Sequence, residues 1–519
     1  MRRYLVCLSL ANLLFLRFWV EMYQLRGQFP TAPASPSFRA MFEATVFNVV
    51  LATAVLSCVV FLVRRSGLRW LTTLGQCAFL VLCTLPVERL GWIAFEQLRS
   101  SLPIPLLQVV WALLMVTPLL GCVLLAVYSN DVMVRGAVAV LTVASPVFVL
   151  NTGNLFWSIL RAPSAAPVQF AQATPQIACR RLVWVIFDEL DQRLAFEKRP
   201  PGLKLPELDR LRVESLSTTA ATSPALITSE SVPALITGVL STGRTGLEKA
   251  RTIFTEVREH GWNSAVAGWF LPYCTDMARD IMQCTQPAAD VHISRNPWAI
   301  VKMQWLTKLT ENWIVTRLNP AARNRVPWYG WADRIQQEAG FLYIREPALS
   351  AVADARFSLV FLHFPIPHPL GIYSRRLGQV TADPQSNYLD NLALVDRTLG
   401  QVRAALDQSG LGGKTALIVT SDHPLRVQRW RESGVWDEEE AAATGNKMGS
   451  FVPFLIHLPS DGDGSVYSKP FNTVVSKELA LAILEGSVTD QPGVARWLDA
   501  AGDAAKSTVH QTALRRSRL

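Results

Sequence analysis

Four stretches near the front of the chain, residues 44–63, 70–87, 102–128 and 136–160, contain no Asp, Glu, Lys or Arg. Runs this long and this apolar do not sit in water, whereas about 20 such residues in a helix cross the roughly 30 Å hydrocarbon core of a bilayer. Residues 4–23 form a fifth stretch, interrupted by Arg17 and Glu21. Arg17 can reach for an interface or a neighbouring helix. The opening Met1-Arg2-Arg3 has the look of a signal peptide, but no small-x-small cleavage site follows and four more spans do, so a retained anchor is expected. Residues 1–160 are therefore expected to form a transmembrane domain of about five helices.

Basic residues orient it. Arg2 and Arg3 precede the first span, Arg64, Arg65 and Arg69 fill the short second loop, and Arg135 lies in the fourth. Arg26, Arg39, Arg89 and Arg99 are spread through the longer first and third loops. This bias favours a cytoplasmic N-terminus. Five crossings then place everything after residue 160 outside the cytoplasm, the topology of a multi-pass protein of a bacterial inner membrane with its C-terminal domain on the periplasmic or extracellular side. At 519 residues, 50% of them hydrophobic, the chain is too apolar for one soluble globule and too long for one domain.

Residues 161–180 read as a Pro/Ala-rich linker. From residue 181 to 519 the pattern changes. Short β-branched runs at Leu182–Phe187, Ser358–Phe364, Thr415–Thr420 and Phe451–His457 alternate with helical patterns such as Asn387–Leu406. That alternation predicts an α/β domain on a mostly parallel sheet. Cys7, Cys58, Cys77, Cys83 and Cys122 fall in the apolar spans, where Cys acts as a small hydrophobe. Cys274 and Cys284 flank a short segment and can bridge in an oxidising compartment. Residues 296–318 place Val301, Trp305, Leu309 and Trp313 four apart beside Lys302, Lys308 and Arg317. This suits a helix on a bilayer surface, or an amphipathic helix packed on its own domain.

Four chemistry-bearing features sit at the ends of expected strands, where open α/β sheets bind ligands. VWVIFDELD ends in Asp188, Glu189 and Asp191; FLHFPIPHP carries His363 and His368; ALIVTSDHP carries Asp422 and His423. The fourth is Thr228 in Thr228-Ser229-Glu230-Ser231-Val232-Pro233, where Ser231 can cap a helix and Pro233 can occupy its first turn. Singly, these are ordinary caps and loop residues. Together they assemble carboxylate, imidazole and hydroxyl groups that suit Zn²⁺, with Mn²⁺ as the alternative, better than Ca²⁺. A Thr hydroxyl is a weak nucleophile unless a bound cation lowers its pKa. No Gly-rich phosphate loop is present, so no nucleotide donor is expected, and no nucleic-acid partner either.

The pattern resembles the alkaline phosphatase/sulfatase-like superfamily. Within it, the chain looks most like the membrane-anchored phosphoethanolamine transferases and lipoteichoic acid synthases, which pair five transmembrane helices with an extracytoplasmic catalytic domain. Thr228-x-x-Ser231-Val232-Pro233, Leu362-His363-x4-His368 and Ser421-Asp422-His423 match motifs of the transferases, and LPELDRL (205–211) is similar to a segment common in sulfatase-like domains. The resemblance implies Thr228 as nucleophile and metal ligand, with Asp422 and His423 as ligands. The strand-end acid is Asp188 or Glu189; Asp188 is favoured as the first polar residue after the strand. His363 and His368 would face the substrate phosphate or hold a second ion. Pro424 stands where the family has Gly, and Leu425-Arg426 replace its acidic continuation. Lys447 or Asn446 stands where another His is common, which fits a single-metal site and gives Lys447 a substrate-binding place.

The activity this implies is metal-dependent transfer of a phosphorylated head group from a phospholipid donor to a lipid or glycan acceptor, through a phospho-Thr intermediate. The Cys/Ser-x-Pro-x-Arg motif that sulfatases convert to formylglycine is absent around residue 228. The alternatives are a membrane-tethered phosphodiesterase, phosphatase or sulfatase-like ester hydrolase, and a non-catalytic lipid-binding sensor on the same fold.

Overall fold

A computed structural model describes residues 2–28, 36–68, part of 70–83, 130–161, 170–174, 178, 180–240, 250–287, 297–310, 331–381, 385–433, 435–459 and 462–501. The chain forms two compact units. One comprises residues 1–166 with 293–305, the other residues 167–292 with 306–519.

The first unit is helical. Its described helices are Arg2–Leu14, Leu16–Gln28, Pro36–Arg65, Asn130–Ala144 and Pro146–Arg161, joined by the first part of Pro297–Thr310. Among the described residues two stretches, Phe38–Arg65 and Val134–Arg161, are long and apolar enough to cross a membrane, with mean hydropathy 2.6 and 1.6. Five were expected. The first expected span is broken at Phe15 into two 13-residue helices. Of the other two, 70–87 is described only in fragments and 102–128 lies outside the described residues.

The first half of the segment expected on a bilayer surface or on its own domain packs among the N-terminal helices, and residues 311–318 lie outside the described residues. Ile300 is buried in one apolar cluster with Phe15, Trp19 and Phe38, and the Trp305 ring meets Phe15 edge-on at 5.4 Å. The physical reason is a polar network that hydropathy patterns do not reveal. Asn48 donates to Gln304 Oε1 at 2.8 Å, Gln304 donates to Thr45 Oγ1 at 2.8 Å, and Trp305 Nε1 donates to Asn48 Oδ1 at 2.9 Å. Thr45, Asn48 and Gln304 are fully buried, and a buried amide without a partner is costly.

The second unit is an α/β domain. Its strands are β1 (Arg181–Asp188), β2 (Leu216–Thr218), β3 (Ala221–Thr222), β4 (Ser264–Ala267), β5 (Gln283–Thr285) and β6 (Leu359–Pro367). They continue with β7 (Tyr373–Ser374), β8 (Gln379–Val380), β9 (Thr415–Ser421), β10 (Phe454–His457), β11 (Ser465–Tyr467) and β12 (Phe471–Asn472). Eight form one sheet in the order β11-β2-β10-β9-β1-β6-β4-β5, parallel except at β10, which runs antiparallel to β9 and β2. The four expected runs are β1, β6, β9 and β10. The last starts late, at Phe454, because Pro453 has no N–H to give a ladder.

Every residue of β1 is buried, as a strand covered on both faces requires. Val183, Val185 and Phe187 face a layer containing Phe341, Ile344, Leu392 and Leu399, from helices Trp331–Val352 and Tyr388–Gln408. Leu182, Trp184 and Ile186 face the opposite layer, with Val232, Phe254 and Leu479 from helices Thr228–Thr237, Ile253–Glu259 and Ser476–Leu484. Each such side chain contributes roughly 1.5–3 kcal/mol by leaving water. At the entry to β1, buried Arg181 donates to the carbonyls of Val352 (2.7 Å) and Phe357 (3.0 Å), and burial lowers its pKa to about 10. Cys274 and Cys284 are disulfide-bonded, with Cα atoms 5.5 Å apart.

The buried amide pair of the helical unit is expected to show coupling. Asn48→Leu and Gln304→Leu should each lower stability by about 1 kcal/mol through the partner left unsatisfied. The double substitution should cost less than the sum, as read from thermal unfolding in detergent.

Candidate active site

The site lies where β1, β6 and β9 end together. Phe187 of β1 is in register with Ser421 of β9 and Phe364 of β6, so the residues that follow leave the sheet at one edge. Asp188 ends β1, while Asp422 and His423 follow directly after β9. Thr228 opens the helix Thr228–Thr237, with Ile227 as its extended N-cap. Ser231 was expected to cap this helix and Pro233 to sit in its first turn. Instead the helix starts at Thr228 and Pro233 lies inside it. Ser231 turns inward, and its hydroxyl donates to the Asp422 carbonyl.

Asp188, Asp422 and His423 each offer one ligand atom, and these lie within 4.8 Å of one another, all buried. His423 Nε2 is 3.4 Å from Asp422 Oδ2, 3.6 Å from Asp188 Oδ1 and 3.3 Å from Thr228 Oγ1. His423 Nδ1 lies 3.0 Å from the Pro424 carbonyl, which can only accept. Nδ1 therefore carries a proton, and Nε2 is turned towards the carboxylates. Asp188 Oδ1 and Asp422 Oδ2 have no hydrogen-bond partner. The other Asp422 oxygen accepts from the backbone N–H of His423 (2.8 Å) and of Glu189 (3.2 Å).

Burial, then Asp422 and Glu189, push the Asp188 carboxyl well above the usual carboxylate range. Burial also works against charge on Asp422, but His423, His363 and hydrogen bonds from Thr228 and the Glu189 N–H hold it below its ordinary value. Bare acceptor atoms converging in a dry place fit a divalent cation, and the carboxylate–imidazole set suits Zn²⁺ or Mn²⁺.

A sulfatase family model matches residues 180–475, more than half of the chain. The chain belongs to the sulfatase family. It is an enzyme of the sulfatase-like class, and enzymes of this family use a divalent metal. Among solved structures it is similar to the PsFucS1 sulfatase from Pseudoalteromonas sp., at 16% identity and TM-score 0.42 over 59% of this chain and 68% of that one. It is also similar to the phosphonate monoester hydrolase SpPMH from Silicibacter pomeroyi, at 16% identity and TM-score 0.37 over 59% and 73%. A third is the lipoteichoic acid synthase LtaP from Listeria monocytogenes, at 10% identity and TM-score 0.36 over 59% and 72%. No curated protein sequence matches the chain.

In this sulfatase-family domain Glu189, the alternative strand-end acid, has a partner of its own. Its buried carboxylate is ion-paired with Arg426, although it also lies in a second group with Asp188 and His368. Asp191 turns away from the cluster and pairs with Arg193 at 2.8 Å. His363 is fully buried on β6 with Nδ1 2.9 Å from the Tyr273 hydroxyl and Nε2 unpartnered. Burial lowers its pKa to about 4, so it is neutral at pH 7. Burial and then Arg426 and Arg429 lower His368 to about 3. Lys447 is exposed, and its carbonyl accepts from Arg193 at 2.9 Å.

Several supporting contacts escaped the sequence reading. The Ser421 hydroxyl accepts from Leu190 N–H at 2.9 Å and lies 2.9 Å from the carbonyls of Phe187 and His423, which ties the ends of β1 and β9 together. The Tyr388 hydroxyl accepts from Asp191 N–H and donates to the Glu189 carbonyl, both at 2.9 Å. Tyr273 carries no motif; its ring passes so close to Gly268 that a Cβ there would meet it at 2.5 Å.

If the bare oxygens and His423 Nε2 hold the cation, Asp422→Asn and His423→Ala should each reduce bound metal well below one ion per chain. Elemental analysis of the purified protein measures this; metal content equal to the parent protein would exclude the assignment.

Proposed function

We propose that the enzyme transfers a phosphorylated head group from a phospholipid to a lipid or glycan acceptor through a phospho-Thr228 intermediate. The observation that carries this reading is the Thr228 hydroxyl at a helix start, 3.3 Å from His423 Nε2 and beside two carboxylates with unpartnered oxygens. Asp188, Asp422 and His423 would hold the ion, with Thr228 as a fourth ligand. When bound, it supplies positive charge that lowers the pKa of the hydroxyl and offsets charge on the attacked phosphoryl group.

Thr228 Oγ1 attacks phosphorus, the bond from phosphorus to the glycerol oxygen breaks, and that oxygen leaves with a proton. The acceptor hydroxyl then attacks phospho-Thr228, forms the new ester and returns the proton to Thr228. The N-terminus of the helix Thr228–Thr237 would offer N–H groups to an anion held at Thr228. His363, neutral and with Nε2 free, hydrogen-bonds its oxygens without adding charge. Tyr273 holds that ring from behind at Nδ1.

The membrane part of the proposal draws on the two helices long and apolar enough to span a bilayer, and the Cys274–Cys284 bond fits an oxidising side. A lipid donor gives such helices a purpose. Hydrolysis, with water as acceptor, is the second reading, because family membership alone favours ester cleavage.

Detergent-solubilised enzyme incubated with labelled phosphatidylethanolamine and phosphatidylglycerol, with and without acceptor lipids, separates the two. Label on an acceptor lipid is the expected outcome, and free head group alone would assign a hydrolase. Thr228→Ala should lower turnover by roughly a thousandfold or more; parent-level turnover in that variant would rule out Thr228 as nucleophile.

A further inference from the structure

His423 and His363 both bring an imidazole to the site, and the proton on each ring decides what it can offer. Neutral imidazole carries one N–H, so a hydrogen bond at one nitrogen fixes the other as donor or acceptor. His423 Nδ1 donates to the Pro424 carbonyl. His363 Nδ1 meets a different partner, the Tyr273 hydroxyl at 2.9 Å. Both Tyr273 and His363 are fully buried, and among the described residues that hydroxyl has no second hydrogen-bond partner. A phenol proton in a dry place needs an acceptor, and Nδ1 of His363 is the one it has. Were Nδ1 the donor instead, the Tyr273 proton would be left without an acceptor. Burial lowers the pKa of His363 to about 4, so the ring is neutral at pH 7 and holds a single proton.

Three contacts fix Tyr273 in place. A Cβ on Gly268 would meet the Tyr273 ring at 2.5 Å, so only glycine leaves it room. The ring leans on Phe361, on the same strand as His363, with centroids 5.8 Å apart. The next residue, Cys274, is bridged to Cys284 of β5, which pairs with β4. A phenylalanine could make the ring contacts equally well. Only the hydroxyl reaches His363.

We propose that Tyr273 is a positioning residue: its hydroxyl donates to His363 Nδ1 and keeps the proton of that ring on Nε2, so that an N–H, and not a lone pair, meets the oxygens of the transferred group. His423 and His363 then carry their protons on opposite nitrogens. What the His363 N–H meets rests on the proposed transfer reaction; where the proton sits does not. An anionic oxygen accepts from an N–H and is repelled by a lone pair. Without the Tyr273 hydroxyl, Nδ1 would lie buried and bare, and nothing would hold the ring in one tautomer.

The full chain, labelled with ¹⁵N-histidine and purified in detergent, reports the proton directly by nuclear magnetic resonance. Among its seven histidines, His363 is assigned by the signals that His363→Gln removes, and couplings to the ring carbon-bound protons tell Nδ1 from Nε2. The parent should show His363 protonated at Nε2 and bare at Nδ1. Tyr273→Phe should replace that single tautomer by a mixture or by Nδ1–H, and should lower kcat on the lipid donor by roughly tenfold or more with little change in KM. Gly268→Ala, which pushes the Tyr273 ring aside, should have the same effects. A proton on Nδ1 in the parent, or a folded Tyr273→Phe that keeps the parent's tautomer or its kcat, overturns the inference. Circular dichroism checks the fold, and if neither variant folds the parent spectrum still decides. A parent that converts no phospholipid yet shows Nε2–H removes the transfer reading and leaves the tautomer standing.

Discussion

Asp188 and Asp422 leave the sheet side by side because β1 and β9 are adjacent parallel strands that end at the same edge. Two bare carboxylate oxygens less than 5 Å apart repel by on the order of 3–4 kcal/mol even at an effective dielectric constant near 20. In a place closed to water no solvent relieves that repulsion. The protein leaves Asp188 protonated, or it binds a cation; the raised Asp188 and the lowered Asp422 are two sides of this one strain. The rest of the domain is built to hold it. Two apolar layers cover the sheet, Ser421 ties the two strand ends, and Ser231 anchors the helix that opens with Thr228 to the Asp422 backbone.

Around that pair, each polar group has one assigned direction. Asp422 spends one oxygen on backbone N–H groups and keeps the other bare. His423 spends Nδ1 on the Pro424 carbonyl and His363 spends Nδ1 on Tyr273, so both rings turn a free Nε2 away from those contacts. Pro424 is thus more than a departure from a family pattern. Its carbonyl sets the tautomer of the neighbouring His423 ring. Glu189 is held in a costly backbone conformation by the same turn that delivers Asp188, a strain common at functional sites.

The helical unit follows a different rule. Its surfaces are apolar, so hydrophobicity alone does not select one arrangement over another. The Thr45–Asn48–Gln304–Trp305 network supplies direction, because each amide finds its partner in only one register. It also recruits a segment that lies far along the chain into the N-terminal unit. Periodicity pointed to the aromatic stripe of this helix; its polar residues chose where it packs.

Much of the α/β domain was legible because burial on both faces forces a continuous apolar run, and such runs mark β1, β6 and β9 directly. Chemistry at strand ends is equally plain in a sequence, since Asp188, His363 and Asp422-His423 interrupt apolar runs abruptly. The helices of the N-terminal unit were less so: Phe15 breaks the first stretch into two helices, although its composition reads as one span. What a linear pattern cannot carry is direction. Asp188 and Glu189 are adjacent and both acidic, yet a left-handed φ at Glu189 sends one carboxylate to bare acceptors and the other to Arg426. Tyr273 reaches the site from an element with no motif of its own, and the ties that Ser421 makes are not written in its motif. The amino-acid sequence by itself determined the elements, their layers and the kinds of group at the sheet edge, because these follow from local periodicity and polarity. Only the tertiary structure decided which acid meets which cation, because that depends on backbone angles and distances between strands far apart in the chain.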